Sequence, residues 1–472
     1  MAKQHENYPA VCVTKSISVY PKSLSPQKIL NLSNLDRQCP LLMYLVFFYK
    51  PTFDCQNLSL DYVFSSLKSG LEETLSIWYP AAGRLMSLNP SDRKLNIWCN
   101  NKGAILVEAL TRVKLSELGD LSQYNEFFEN LVYKPVFNGN FSEMPLVVAQ
   151  VTRFACGGYS IGIGTSHSLF DGPATYDFLS AWACNSAIKK RKGVTVSDHQ
   201  PVHERGLMVL DNISHVHNAG TVKSPVAAAR AAAIDHLYQL IKNTMINSQN
   251  SEVGGLNFSE MGSSNYVLKT FHLSGAIVES LKRKVLGERR GNFSCSSFEL
   301  VAAHLWKART KAFALKKETM VCLQFAVDTR NKMVPPLPKG FSGNAYVLAS
   351  VALTAGELEE LSHEAIVEKI KEAKNSINNE YVNGYIEALD APQGSLPPLK
   401  ELTILSDWTR MPFHKIDFLN GEAAYASPLA SPIPQVAYFM QNPSDLRGID
   451  VRIGLFPQTL DAFSHYFLRN LQ

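Results

Sequence analysis

The sequence predicts an α/β protein of two domains. Its 472 residues exceed what one average core serves and suit two domains of about 200 residues or more. Strand-like and helix-like stretches are mixed in both halves, as in layered α/β architectures. Between them runs a polar stretch, 189–265, rich in Ser, Asn, His and Gly. The expected division is therefore an N-terminal domain at 1–190, a crossover linker with one helix at 191–265, and a C-terminal domain at 266–472.

Residues 11–20 alternate in polarity and predict an opening strand, which Pro21 and Pro26 break. The apolar run 41–49 predicts a fully buried strand. Leu60, Val63, Phe64, Leu67, Leu71 and Leu75 keep helical spacing over 60–77, and Pro80 disfavours helix at Tyr79. Strands are expected at 146–151 and 159–164, with Gly157 and Gly158 turning between them, and a helix at 174–188. In the polar stretch, 226–245 has helical character. The second half predicts strands at 267–273, 320–328, 344–353, 402–407, 436–440 and 451–455. Its helices are expected at 276–286, 297–314, 357–379 and 461–471.

Composition narrows the function. Hydrophobic residues are 46% and charged residues 19%, values of an ordinary globular chain. A net charge of +4, from 46 basic and 42 acidic side chains, argues against nucleic-acid binding. The eight cysteines are spread without CxxC pairs, which suggests free thiols in a reducing compartment. The polar N-terminus has no signal-peptide core, so the Asn-x-Ser sequons at Asn31, Asn57, Asn140, Asn212, Asn257 and Asn292 read as chance. The longest strongly apolar run, Leu41 to Tyr49, falls far short of a membrane span of about 20 residues. A cytoplasmic monomer is expected, with nuclear entry through the basic run 189–192, or attachment to the endoplasmic-reticulum surface, as further readings.

One stretch carries chemistry. A strand rich in small residues, Gly162, Gly164, Thr165 and Ser166, leads into His167, with Asp171 and Gly172 following before a helix. Imidazole titrates nearest neutrality of the ordinary side chains, so His167 suits a general base. The small residues are expected to leave room beside it for a ligand. Asp171 is expected to fix the loop backbone or to pair with an arginine. Among the twelve histidines only His167 has this setting; His304 reads as a packed helix residue, and His199, His203, His215 and His217 show no metal-ligand spacing. The chain has no nucleophile elbow, P-loop or dinucleotide glycine fingerprint, which argues against serine, nucleotide-hydrolysing and nicotinamide enzymes.

At this point the chain resembles the plant BAHD acyltransferases, which use acyl-CoA donors. His167-Ser168-Leu169-Phe170-Asp171-Gly172 is similar to their HxxxDG motif, and Tyr79-Pro80-Ala81-Ala82-Gly83-Arg84 to their YPxAGR segment. Ser297-Phe298-Glu299 with Trp306, and Asp328-Thr329-Arg330 with Gly343-Asn344, match two further segments, so the resemblance runs from about residue 12 to 470. It departs at Asp417-Phe418-Leu419-Asn420-Gly421, which stands where the family has DFGWG.

The resemblance implies two similar chloramphenicol-acetyltransferase-like domains with mixed sheets and flanking helices, joined by a long crossover and meeting along a channel centred on His167. It implies no permanently bound cofactor and no metal, with acyl-CoA as co-substrate and a small-molecule acceptor as partner. His167 would deprotonate an acceptor hydroxyl or amine for attack on the thioester, without an acyl-enzyme. Asp171 would pair with Arg330, and Asp417 and Gly421 would be structural. Asn420 would replace the Trp as an oxyanion donor. Lys282, Arg283 and Lys284, with Arg289, Arg290, Ser296 and Ser297, are candidates for the CoA phosphates. The expected acceptor is a bulky apolar alcohol such as a steroid. The rival reading is an inactive homologue acting as an accessory protein in lipid or cuticular wax elongation; carnitine transferases and peptide-synthetase condensation domains fit the other segments poorly.

Overall fold

The computed structural model describes residues 11–51, 58–88, 94–136, 140–186, 200–208, 266–286, 294–389, 401–419, 421–429 and 436–468. The expected helix at 226–245 and the basic run at 189–192 lie outside them.

The chain forms two compact units, and neither follows the expected division. The first takes residues 1–31, 41–201 and 413–429; the second takes 32–40, 202–412 and 430–472. Two short segments are thus exchanged between the halves of the sequence, and each has a physical reason. Residues 413–429 carry strand Tyr425–Pro428, which pairs antiparallel with strand Leu42–Tyr49 and ends the sheet of the first unit. The segment similar to DFGWG, expected in the C-terminal domain, therefore belongs to the first unit. Residues 32–40 carry Asp36, which is fully buried in the second unit. Its Oδ1 accepts the Asn344 backbone N–H and Nδ2–H, both at 2.9 Å, and its Oδ2 faces Arg205 Nε at 3.3 Å. A buried carboxylate is tolerated because it is paired and hydrogen-bonded.

In the first unit, a mixed six-stranded sheet has the order β1 (Cys12–Val19), β6 (Ala104–Leu110), β7 (Val147–Arg153), β8 (Tyr159–Ser166), β3 (Leu42–Tyr49), β13 (Tyr425–Pro428). A smaller sheet joins β2 (Lys28–Leu30), β5 (Leu95–Cys99) and β4 (Arg84–Ser87). Helix α2 (Leu60–Ile77) begins where the Ser59 side chain accepts the Tyr62 N–H, and buries Val63, Phe64, Leu67, Leu71 and Leu75 along one face. Helix α3 (Gly172–Asn185) packs on it, with Trp182 Nε1 donating to Leu67 O at 2.9 Å. Strand β3 is buried only in its second half, a correction to the fully buried run expected.

In the second unit the sheet order is β11 (Tyr346–Thr354), β10 (Met320–Asp328), β12 (Leu402–Asp407), β14 (Val436–Asn442), β15 (Asp445–Leu455), β9 (Val267–Leu273). Its helices include α1 (Asn34–Arg37), α4 (Gly275–Leu286), α5 (Ser297–Ala312) and α9 (Pro457–Leu468). The single helix expected at 357–379 is instead three: α6 (Ala355–Glu360), α7 (His363–Asn375) and α8 (Asn379–Ala388). Thr354, Ser362 and Asn378 each cap a new N-terminus, so side-chain capping divides a continuous apolar period.

His304 is a packed helix residue, as expected. Its Nε2 donates to Phe467 O of α9 at 2.8 Å, which leaves Nδ1 to accept from His363 Nε2 at 3.2 Å. This chain of bonds requires a neutral His304 and a proton on His363 Nε2. Burial pushes His304 below its ordinary value, and burial together with His304 and Lys307 pushes His363 down to about 4. A histidine depressed in the fold stabilises it above its unfolded value near 6.5 and loses that contribution as pH falls towards the folded value. The expected outcome is an unfolding midpoint that declines from about pH 6.5 to about pH 4, with a smaller decline in His363→Gln; equal declines in thermal scans of the two proteins would contradict the assignment.

Candidate active site

His167 follows directly on β8, the strand that lies between β7 and β3. Both neighbours hold the chain at this point. Ser166 N–H donates to Leu146 O at 2.8 Å and His167 N–H to Leu41 O at 2.9 Å, so the ladders continue one residue past each partner strand. The chain then turns: Leu169 and Phe170 N–H both reach Ser166 O, at 2.9 and 3.3 Å. Leu169 and Phe170 are buried, and Phe170 packs edge-on to Trp78 at 5.3 Å and against Phe178 at 5.1 Å. Among residues 166–171, His167 alone is half-buried and the others are buried.

Asp171 is the N-cap of α3. Its backbone is extended, its Oδ1 accepts the Ala174 N–H at 3.1 Å, and its carbonyl accepts the Thr175 N–H at 2.8 Å. Pro173 in the first turn suits a helix start, where a missing N–H costs nothing. Spacing alone could not separate a capping role from an arginine partner. The structure places the cap, and a carboxylate there also complements the helix dipole.

The two glycines ahead of His167 have another role than the one expected. A Cβ on Gly162 would come within 2.0 Å of Leu131 O, and one on Gly164 within 2.6 Å of the Tyr44 ring, its partner across β3. Those glycines admit neighbouring backbone and an aromatic ring to the strand; they do not open space for a ligand. Burial, with Glu129 and Tyr133 adding to it, pushes the Tyr44 phenol well up, which keeps it neutral. The Ser166 and Ser168 hydroxyls are buried without a hydrogen-bond partner among the described residues. Orphaned buried donors cost stability and concentrate at functional sites.

The segment 413–421 braces the elements that hold His167. Tyr49 of β3 donates its hydroxyl to Ile416 O at 2.7 Å. Phe418 packs on Phe47 of β3 at 5.8 Å and on Trp182 of α3 at 5.2 Å. Asp417 Oδ1 accepts the Gly421 N–H at 2.6 Å and closes the turn, while Leu419 is buried. A Cβ on Gly421 would meet nothing, so its part is the N–H, which most residues can supply. Asn420 lies outside the described residues. Sequence reasoning did not single out His414, which is 3% exposed with Nε2 lacking a partner among the described residues; burial holds it below its ordinary value against the pull of Glu422.

Arg84 is likewise structural. Its guanidinium donates to Gly83 O, Gly103 O and Lys102 O at 2.7, 2.8 and 3.3 Å, and burial brings it down to about 10.

In the second unit, Arg330 donates to Phe341 O at 3.2 Å and Gly343 O at 2.9 Å, and lies 3.4 Å from Asp328 Oδ1, so it shapes the 341–343 loop. Ser296 caps α5 in a reciprocal capping box with Glu299, which commits its hydroxyl as an acceptor. Glu299 is held below the usual carboxylate range: burial opposes ionisation, but Lys374 and Ser296 outweigh it. Of the CoA candidates, Lys282 is half-buried and Arg283 and Lys284 exposed on the last turn of α4, with Ser297 half-buried at the start of α5. Arg289 and Arg290 lie outside the described residues. The structure adds Lys371, Lys374 and Lys332, which spacing did not reveal, beside the expected Lys282. Lys282 and Lys371 both act electrostatically on the buried Cys295 thiol, and Lys332 Nζ donates to Lys374 O at 2.9 Å.

Two α/β units, one of which presents a histidine from a strand end stapled on both sides, define a protein of acyltransferase architecture. The Transferase family model matches residues 10–469, and the chain belongs to that family, the BAHD acyltransferases. It is 55% identical over 469 residues to Brassinosteroid-related acyltransferase 1 of Arabidopsis thaliana, covering 97% of each chain. It is 30% identical over 452 residues to the Arabidopsis thaliana fatty alcohol:caffeoyl-CoA acyltransferase, covering 95% of each. Among solved structures it matches vinorine synthase with a TM-score of 0.70 at 20% identity, covering 97% of this chain and 98% of that one. It matches F. graminearum TRI101 in complex with coenzyme A and T-2 mycotoxin with a TM-score of 0.69 at 12% identity, covering 92% and 96%. These two likenesses establish the fold.

If Asp171 acts chiefly as a cap, Asp171→Asn keeps the oxygen and the unfolding free energy, whereas Asp171→Ala loses about 1–2 kcal/mol. Equal losses in denaturant titrations of both variants would show that the charge itself is required.

Proposed function

We propose that the protein transfers an acyl group from acyl-CoA to a hydroxyl of a bulky apolar alcohol of the hydroxylated steroid class. The observation that carries the reading is the 55% identity over nearly the whole chain to a brassinosteroid-related acyltransferase, with His167 and Asp171 intact.

In the proposed reaction, neutral His167 accepts the proton of the acceptor hydroxyl as its oxygen attacks the thioester carbonyl. The carbonyl π electrons move to oxygen, giving a tetrahedral oxyanion. The oxyanion collapses, the C–S bond breaks, and the imidazolium returns the proton to the departing CoA thiolate. Imidazole suits both steps because its two protonation states lie close in energy near neutral pH. Asp171 acts on this step only through the loop. Asn420 is the proposed hydrogen-bond donor to the oxyanion, a role its side-chain amide is chemically able to fill. Lys282, Lys371 and Lys374, gathered near the start of α5, with Arg283, Lys284 and the Ser297 hydroxyl, are proposed to meet the CoA phosphates.

The test incubates purified protein with acetyl, longer aliphatic and hydroxycinnamoyl CoA thioesters, each with a hydroxylated steroid, a long-chain fatty alcohol or a phenolic alcohol, and follows thiol release. Thiol release well above acceptor-free hydrolysis, highest with the steroid, is expected. Turnover with the fatty alcohol or phenolic alone would overturn the acceptor class, and release with no acceptor in the panel would favour an accessory role.

A further inference from the structure

We propose that Ser25 is a phosphorylation site for a proline-directed serine kinase. The chain holds four Ser-Pro pairs, at Ser25, Ser224, Ser427 and Ser431, and no Thr-Pro pair. The residues three positions on are Lys28, Ala227, Ala430 and Pro434, so only Ser25 combines the proline with a downstream cation. Each part has a chemical reason. Proline has no backbone N–H, so a kinase groove that leaves the next amide unsatisfied admits it and penalises other residues. Proline also biases the serine before it towards extended backbone, the form in which a substrate chain lies across a kinase cleft. A lysine further along the same chain suits an anionic pocket of that cleft.

The structure supplies the access. Residues 20–27 lie outside any helix or strand, between β1 and β2. Lys22, Ser23, Leu24, Pro26, Gln27 and Lys28 are exposed, and Ser25 is half-buried. Ser427 is instead fully buried in β13, paired with Val46 of β3. Few bonds hold the segment that bears Ser25. Lys22 N–H donates to Glu72 O at 3.0 Å and Ser23 N–H to Ser76 Oγ at 2.9 Å. The Asn101 side chain clasps Ser25 itself: Oδ1 accepts its N–H at 3.3 Å, and Nδ2 donates to its carbonyl at 2.7 Å. Both bonds use the main chain of Ser25 and leave its hydroxyl out. A surface segment held by so few bonds opens at low cost, which lets it seat in a second protein's groove. In the transfer, the Ser25 hydroxyl oxygen attacks the γ-phosphorus of ATP. The bond from that phosphorus to the β–γ bridging oxygen breaks, ADP leaves with the electron pair, and the hydroxyl proton passes to the kinase's catalytic carboxylate. The inference goes beyond the proposed acyl transfer and does not rest on it.

The experiment incubates the folded full chain with a purified cyclin-dependent kinase and ATP, and follows intact mass and the modified peptide. Close to one phosphoryl group per chain is expected, on Ser25. Ser25→Ala should remove it, and Pro26→Ala and Lys28→Ala should each slow it by about ten-fold or more, with unfolding midpoints unchanged. Folded wild-type protein that takes no phosphate at Ser25 would overturn the proposal. So would modification of Ser25 only after heat unfolding, phosphate on Ser224 or Ser431 in its place, or a wild-type rate in Lys28→Ala. Mass is read without any turnover of acyl-CoA, so failure of the proposed reaction leaves this result readable.

Discussion

The position of His167 depends on a backbone constraint. Its N–H and that of Ser166 are bonded to carbonyls on opposite sides, Leu41 O and Leu146 O, so the chain at the end of β8 cannot shift without breaking both. Four residues later Asp171 pins the chain again by capping α3. Between these anchors, buried Leu169 and Phe170 hold the turn in the core, and only the histidine side chain is left partly exposed. A general base must lie within hydrogen-bond reach of the proton it takes, so this rigidity is the main contribution of the fold to the proposed chemistry.

Support for that constraint comes from far along the sequence. Residues 413–429 return to the first unit, add β13 to β3, and wedge Phe418 against Phe47 and Trp182. Strand β3 and helix α3 lie far apart in the sequence, yet both meet this segment, and β3 carries its support to β8 by direct pairing. Leu419 fills the core where the family has a small residue, so the altered second signature is compatible with its bracing role. In the second unit, the exchange of residues 32–40 rests on the buried Asp36 carboxylate, whose partners Asn344 and Arg205 come from distant parts of the chain.

Much of this was legible. Helix α2 and strands β9 and β10 follow the expected spans because their periods are clear and their ends are marked by capping residues, proline or polar turns. The setting of His167 between strand and helix was also readable. The long helix at 357–379 was misread because its apolar spacing runs through Ser362 and Asn378, whose side chains cap new helices; that signal is local and was present. Strands β2, β4, β5, β6 and β13 are not expected from the sequence: all but β6 are only three to five residues long, too short to fix a period, and β6 mixes buried and half-buried positions irregularly. The bonds to Leu41 O and Leu146 O, the ring of Tyr44 against Gly164, and the exchanged segments are tertiary, and spacing along one chain does not encode them.

The central claim is that His167 is the general base. Its most direct measurement is single-turnover acyl transfer by His167→Ala with saturating acyl-CoA and a productive acceptor, beside its unfolding midpoint. The rate is expected to fall by about 100- to 10,000-fold with an unchanged midpoint, as for loss of a positioned acid–base group. Transfer within a few-fold of wild type by the folded variant would contradict it.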